Sequence, residues 1–272
     1  MDSMTVIWAV IFTLLGFSIG SFLNVCIDRL PVGGSLLAPP SHCDGCSRRL
    51  SFFENIPVLA YLILGGRCRT CGARIPRRVL FVEVLTGALF LVSFLRFGMT
   101  PSFGVTAFWS CVFIVVIFID KEHQLILNKV TYPAAVVAVL LLAADTIWPQ
   151  VGLLANLHTM GHTALFPVNS LVSGLLAGGI FFLFFVIVFL INPRGLGIGD
   201  LKLAFLIGLV LGFPIVFAGM FIGIVLGGVV AVILVLVSKK GRKDVMPYGV
   251  FLGVGPIVAL LFGAAIMTWY LG

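Results

Sequence analysis

Two aspartates, Asp120 and Asp200, each stand where a long apolar run meets a short basic loop, the second inside Gly197-Ile198-Gly199-Asp200. A carboxylate at the edge of a bilayer is costly to keep and is by default a functional candidate. Two of them on one side of a membrane can share a proton, because like charges a few ångströms apart do not easily both ionise. One then stays ionised and activates water while its protonated partner polarises a carbonyl, which is the acid/base hydrolysis of aspartic proteases. The glycines let backbone approach closely and allow an unwound helix start, useful where a peptide must lie beside a carboxylate. The competing reading is a pair of interfacial carboxylates answered by Lys121, Lys129 or Lys202. With 31 glycines in the chain, a G-x-G-D match also carries false-positive risk. The residue pattern by itself leaves both readings open.

Cys43-x-x-Cys46 and Cys68-x-x-Cys71 supply a second chemistry. A two-residue gap lets both thiolates of a knuckle reach one ion, and two knuckles complete a tetrahedral, all-cysteine zinc site. Four cysteines leave no open coordination position, so the Zn2+ reads as structural rather than catalytic. The distance between the knuckles slightly exceeds that of ordinary zinc ribbons, which matters little where the intervening segment can loop out. Disulfides and a redox CxxC are the alternatives. A reducing compartment disfavours the first, and the flanking Asp44-Gly45 and Arg69-Thr70 suit knuckle turns better than a thioredoxin site. Cys26 and Cys111 fall at or within apolar runs and read as small apolar side chains.

Such residues need a scaffold, and the composition says which kind. The chain is 61% hydrophobic and 10% charged, with mean hydropathy +1.22, which excludes a soluble domain. Runs long enough to cross a bilayer, at roughly 20 residues per span, begin near Thr5, Val79, Phe103, Val130, Val168, Leu201, Gly219 and Tyr248. The expected fold is an all-α polytopic membrane protein with about eight transmembrane helices and a small cytosolic zinc-binding domain between helices one and two. Leu203 to Val237 is too long for one span, so it folds into two around Gly212-Phe213-Pro214.

Charge sets the orientation. With both termini outside, one face receives Arg29, Arg48, Arg49, Arg67, Arg69, Arg74, Arg77, Arg78, Lys121, Lys129, Arg194, Lys202, Lys239, Lys240, Arg242 and Lys243, and only Arg96 lands opposite. An excess of Lys and Arg marks the cytoplasmic face. A single helix over Leu203–Val237 would send the last four outside and spoil the asymmetry. The net charge of +7 is therefore mostly a positive-inside signature with some capacity for anionic lipid headgroups, and it calls for no nucleic acid. Met1-Asp2-Ser3-Met4 lacks a basic n-region, so the first run reads as a retained span rather than a cleaved signal.

The expected organisation is a first transmembrane helix over 1–27, a cytosolic zinc-knuckle domain over 28–78, and a seven-helix membrane core over 79–272. A segment of that size needs a metal or disulfides to fold. Asp145 falls on the outer side beside Trp148 and cannot join the other two aspartates. His158 and His162 are spaced i, i+4 but lack the glutamate of a zinc-protease motif. Glu83, early in the second helix, can pair with Arg77 or Arg78, or take a cationic substrate group. Gly219, Gly223 and Gly227, like Gly174 and Gly178, recur at the spacing of close helix packing.

With these residues placed, the chain resembles the type IV prepilin peptidases, the leader peptidase/N-methyltransferases of the GxGD aspartic membrane proteases, over essentially its whole length. The resemblance is carried by Gly20-Ser21-Phe22-Leu23-Asn24-Val25 and Arg29-Leu30-Pro31, and by the paired knuckles with Glu54-Asn55-Ile56-Pro57 between them. It continues through Gly66-Arg67, Glu83, Ile119-Asp120, Gly197-x-Gly199-Asp200-x-Lys202 and Met246-Pro247-Tyr248-Gly249. One departure is Leu127-Asn128, where many members read Ile/Leu-Pro-Asp. The resemblance implies that Asp120 and Asp200 are catalytic and that Gly197, Gly199 and Lys202 form an active-site loop. It implies an enzyme of the bacterial cytoplasmic (inner) membrane that cleaves the basic leader of prepilins and pseudopilins after a glycine, at the cytoplasmic face. It further implies methylation of the new N-terminus with S-adenosylmethionine, for which Gly66 and Arg67 are the cofactor-binding candidates; that half rests on the resemblance alone. Two other classes compete. An ion- or proton-coupled transporter would use the aspartates as ion sites, but the chain shows none of the inverted repeats or broken mid-membrane helices of such proteins. An assembly scaffold would gain nothing from two costly carboxylates.

Overall fold

The computed structural model describes residues 2–154, 169–191, 196–237 and 247–271. His158, His162, Arg194, Lys239, Lys240, Arg242, Lys243 and Met246 lie outside the described residues, so the expectations placed on them stay as read. The described chain is helical: α1 (Ser3–Arg29), a short α2 (Leu59–Ile63), α3 (Arg77–Phe97), α4 (Pro101–His123), α5 (Asn128–Ile147), α6 (Ser170–Ile191), α7 (Ile198–Leu211), α8 (Ile215–Leu236) and α9 (Tyr248–Leu271). Local chemistry sets several of these ends. The Asp2 carboxylate accepts the Thr5 N–H at the start of α1. Gly98 ends α3 at φ 61°, and Pro101 opens α4 at its first helical position.

The chain divides into two compact units, Met1–Gly98 and Met99–Gly272. In the first, α1 packs along α3 with the backbones in close approach. A Cβ on Gly16 would lie 2.7 Å from the Gly87 Cα, and one on Gly20 would lie 2.7 Å from the Glu83 Cα. The segment between these helices has no hydrophobic centre of its own; among its described residues only Gly66 and Cys68 are buried. Its order comes from two tight hairpins of similar design, closed by bridges between His42 and Arg49 and between Arg67 and Arg74. In each, the first cysteine donates its N–H to the residue before the bridge, Cys43 to Arg48 O (2.9 Å) and Cys68 to Ala73 O (2.8 Å).

The residue after each second cysteine turns left-handed: Gly72 at φ 71° and Ser47 at φ 55°. Glycine adopts that conformation freely and serine does not, at a cost of roughly 1–2 kcal/mol. Ser47→Gly is therefore expected to stabilise the first hairpin by about 1 kcal/mol, read as slower proteolysis of the segment between α1 and α3. Unchanged or faster proteolysis would show that Ser47 is not strained.

In the second unit α4 and α7 form the centre, with Trp109, Phe113, Ile114, Ile119, Leu203 and Ile207 fully buried. Around them α9 packs on α4 and α8, and α6 packs on α7. The repeated glycines are helix contacts, as their spacing predicts. A Cβ on Gly208 would lie 2.4 Å from the Gly178 N, and one on Gly255 would lie 2.1 Å from the Gly219 O.

Seven of the described helices are long and apolar enough to cross a membrane, as expected of a multi-pass membrane protein. The eighth long helix, α7, has 14 residues. At 1.5 Å per residue it is about 21 Å long, short of an apolar layer about 30 Å thick. The hairpin predicted around Gly212-Phe213-Pro214 is present, and it explains how so short a helix is tolerated. Its turn is buried, and the Phe213 N–H is met by the Ser173 hydroxyl of α6 at 2.9 Å. Backbone that leaves a helix at membrane depth needs such a partner.

Candidate functional site

The ends of the second unit differ in chemistry. At one end Asp145 accepts the Leu154 N–H at 3.0 Å and the Ser170 hydroxyl, and Ser102 donates to Gly152 O at 3.1 Å. Asp145 is thus a buried tie between the end of α5 and the start of α6, more committed than an interfacial carboxylate.

At the other end the α4–α5 loop and the starts of α7 and α9 converge. Asp120, in the last turn of α4, and Asp200, in the first turn of α7, are both buried there, at 5% and 7% exposure. Each carboxylate is held through Oδ2 by backbone N–H, Asp120 by Val250 in the first turn of α9 (3.0 Å) and Asp200 by Gly197 (2.9 Å). Helix N-termini carry partial positive charge and unpaired N–H groups, which is why carboxylates settle there. The two aspartates interact electrostatically with one another, and Asp200 also interacts with Tyr248. The structure thus brings together the pair that the sequence singled out.

Ile126 wedges between the two helix starts, and the glycines make room for it. A Cβ on Gly199 would lie 2.8 Å from the Ile126 Cβ, and one on Gly249 would lie 2.9 Å from the Asp120 Oδ2. Ile126 escaped the sequence reading because an isoleucine in an apolar chain gives no signal. Gly249 closes the Pro247-Tyr248-Gly249 stretch, but its job, clearing space for a carboxylate from another helix, is a tertiary fact. Lys202 turns elsewhere. Its Nζ donates to Asn128 Oδ1 at 2.9 Å and lies 5.2 Å from the Tyr132 ring centroid, fastening α7 to α5. The departure at Asn128 is therefore a neutral acceptor for that lysine.

In the first unit the four cysteine sulfurs lie within 4.8 Å of one another, with Cys43 Sγ and Cys71 Sγ 3.7 Å apart. A tetrahedron with Zn–S bonds of about 2.3 Å has edges of about 3.8 Å, whereas a disulfide requires about 2.05 Å. The donor set fits a metal ion. Backbone N–H groups of Cys71 and Thr70 hold the Cys68 thiol down to about 6. Cys71 is pushed up to about 11, against the Ala73 N–H, by desolvation and by its bonds to the neighbouring sulfurs. Clustered thiolates resist ionising together unless a cation joins them.

Beside the cluster, Glu54 accepts from Arg48 (2.6 and 3.1 Å) and from the Ser51 N–H and hydroxyl (2.9 and 2.8 Å). Arg48 first, then Ser51, hold the Glu54 carboxyl down to about 2. Its contribution is complete above the ordinary carboxylate range and is lost as pH falls toward about 2.

Gly66 is explained by backbone. It is left-handed at φ 70°, and a Cβ there would lie 2.9 Å from the Tyr61 ring. Arg67 closes the second hairpin. Glu83 does not pair with Arg77 or Arg78. Arg78 binds Asp28 at 2.6 Å, while Glu83 accepts the Val58 N–H at 2.7 Å and the Ser21 hydroxyl.

Residues 14–97 match the Bacterial Peptidase A24 N-terminal domain and residues 107–232 the Type IV leader peptidase family. A protein of Aeromonas salmonicida named prepilin leader peptidase/N-methyltransferase is 30% identical, the match covering 95% of this chain and 92% of that one. The chain belongs to the type IV leader peptidase family. Proteins of the same name from Bacillus subtilis (29% identical, covering 95% of this chain and 96% of that one) and Dichelobacter nodosus (30%, 93% and 91%) agree. No solved structure matches it. As a family member the chain is a peptidase, and both family regions fall within the two compact units, one in each.

Proposed function

We propose that this enzyme is an aspartic endopeptidase of the bacterial inner membrane that removes the basic leader of type IV prepilins or pseudopilins after a glycine, at the cytoplasmic face. The observation that carries the reading is the convergence of Asp120 and Asp200 at one end of the second unit, each buried and each held by a helix-start N–H. Sharing one proton, the pair serves as base toward water and acid toward the scissile carbonyl, with no covalent intermediate. Gly199 and Gly249 leave the clearance that lets α7 and α9 bring their first turns to the carboxylates. A membrane-based cleavage assay on a prepilin with a Gly–Phe junction tests it; an intact leader after exhaustive incubation would refute it.

The four-cysteine cluster holds Zn2+ in this reading, as a structural ion that closes the two hairpins on each other. The second activity is N-methylation of the new N-terminus. S-adenosylmethionine, when bound, supplies an electrophilic methyl group. A cavity of 520 Å³ in the first unit, walled in part by Tyr61, Asn55 and Ile56, is of the size that takes such a cofactor, and these residues would hold it. Gly66 backs the Tyr61 ring, so Gly66→Ala pushes that ring and strains its own backbone. Methylation is expected to fall at least about tenfold while cleavage persists, both read by mass spectrometry of one product. Equal loss of both activities with zinc content intact would sink this division of labour.

The orientation completes the proposal. The loops at the aspartate end and the cysteine segment face the cytoplasm in this reading, and both termini face outward, which the distribution of Lys and Arg supports. Single cysteines introduced at Lys121 and Lys202 are expected to resist membrane-impermeant thiol reagents in intact cells, and one at Gln150 to react. Labelling of the first two from outside would invert the topology.

A further inference from the structure

The 520 Å³ cavity of the first unit contains a feature that a structural role leaves unexplained. Asn24, in the last turns of α1, lines it at 5% exposure. Its amide nitrogen donates to two carbonyls, Gly20 O at 3.2 Å and Val79 O at 3.1 Å. Those partners fix which way the amide points, since only the NH2 can face two carbonyls. Its Oδ1 is buried without a hydrogen-bond partner. A buried acceptor left unmet costs about 1–3 kcal/mol.

Glu83 lines the same cavity at 4% exposure. Of the other carboxylates there, Asp28 is matched with Arg78 and Glu54 with Arg48, while Asp44 is exposed to solvent. Glu83 meets only neutral donors, the Val58 N–H and the Ser21 hydroxyl, and no cation among the described residues pairs with it. The Val58 N–H is delivered from a left-handed backbone at φ 63°, a costly conformation for a β-branched residue. The cavity therefore holds one buried carboxylate without a countercharge and one buried carbonyl without a donor.

A group that carries positive charge and several N–H donors answers both, and a primary ammonium does so. We propose that Glu83 and Asn24 form a subsite for a primary ammonium group, and, resting on the methyl-transfer reading above, that the group is the freed α-amine of the processed polypeptide. The amino-acid end of the methyl donor has the same chemistry, and the experiment separates the two.

The full chain, purified with its zinc, is titrated with a peptide beginning at Phe, free or N-acetylated, and with S-adenosylhomocysteine and its deaminated analogue. The free amine is expected to bind at least about tenfold more tightly than its blocked counterpart, the scale of a hydrogen-bonded charge. Glu83→Gln keeps a carbonyl for the Val58 N–H and is expected to bring the two forms within about twofold of each other. Asn24→Leu, in another helix, tests the same subsite independently and is expected to narrow the gap, with zinc content reporting on folding. Discrimination within the peptide pair that collapses in these variants supports the subsite and names the polypeptide. Discrimination confined to the adenosyl pair that collapses likewise supports the subsite but overturns the polypeptide assignment in favour of the donor. No discrimination in either pair, or discrimination that survives both substitutions, overturns the inference. Methylation and leader cleavage by the same unmodified preparation are read in parallel, so that a protein that methylates but does not discriminate refutes the subsite and not the methyl-transfer reading.

Discussion

Asp120→Asn and Asp200→Asn are each expected to abolish leader cleavage while leaving expression, membrane insertion and zinc content unchanged. The substitution is nearly isosteric, and the asparagine carbonyl can still accept the Val250 or Gly197 N–H that holds each carboxylate. What disappears is the titrating group. A general acid/base contribution is about 100- to 10,000-fold in rate, and losing one member of a pair that shares a proton removes both roles. If the aspartates merely stabilised the helix ends, losing a charge at a helix terminus would cost roughly 0.3–1 kcal/mol and leave turnover nearly intact. Asp145→Asn calibrates the comparison. It weakens a buried tie to Leu154 and Ser170, so a stability loss of about 1–3 kcal/mol is expected, with turnover per folded molecule preserved. Substantial cleavage by either Asp120→Asn or Asp200→Asn would remove the dyad from the mechanism.

What the sequence showed and what it hid divide along a physical line. Long apolar runs are one-dimensional signals, and charge asymmetry resolves how to fold the longest of them. The hairpin at Gly212-Phe213-Pro214 was legible for that reason, although the shortness of α7 was not. Hydropathy does not register where Ser173 waits to cap a buried turn. The cysteine cluster was legible because a two-residue gap is itself geometry, and the near-repetition of its two hairpins appears only in the bridges and left-handed turns. The aspartate pair could be proposed because both residues lie at run boundaries on one side. The residues that shape its surroundings, Ile126 and Gly249, lie at contacts between segments far apart in sequence and carry no chemical mark. Lys202 shows the opposite failure. A lysine two residues from Asp200 invites an ionic reading, yet a helix turns residues i and i+2 to different faces, and Lys202 meets Asn128. Glu83 likewise has arginines close by in sequence and takes neutral donors from Val58 and Ser21.

Removing zinc is expected to unfold the cysteine segment while α1 and α3 stay helical. The segment from Asp28 to Pro76 buries few side chains, and outside its short helical turns its backbone order rests on two hairpins whose sulfurs meet at one point. Zinc contributes about 10–16 kcal/mol of apparent free energy to small domains of this kind near neutral pH, far more than the scattered hydrogen bonds around Arg48 and Glu54 can replace. Helices α1 and α3, by contrast, pack backbone to backbone through Gly16, Gly20 and Gly87 and do not depend on the ion. Chelation, Cys43→Ser and Cys71→Ser should therefore expose the segment to proteolysis between Arg29 and Arg77, with little loss of far-ultraviolet helical signal. Metal analysis of the untreated protein should give one zinc per chain. A purified protein free of zinc, with the four thiols joined as disulfides, would overturn the assignment. A chelated protein that resists proteolysis would show that the hairpins stand without the metal. Methylation should fall with the zinc, because Tyr61 and Cys68 line the same cavity. Cleavage should outlast it, because Asp120 and Asp200 are held by the second unit's own helix starts.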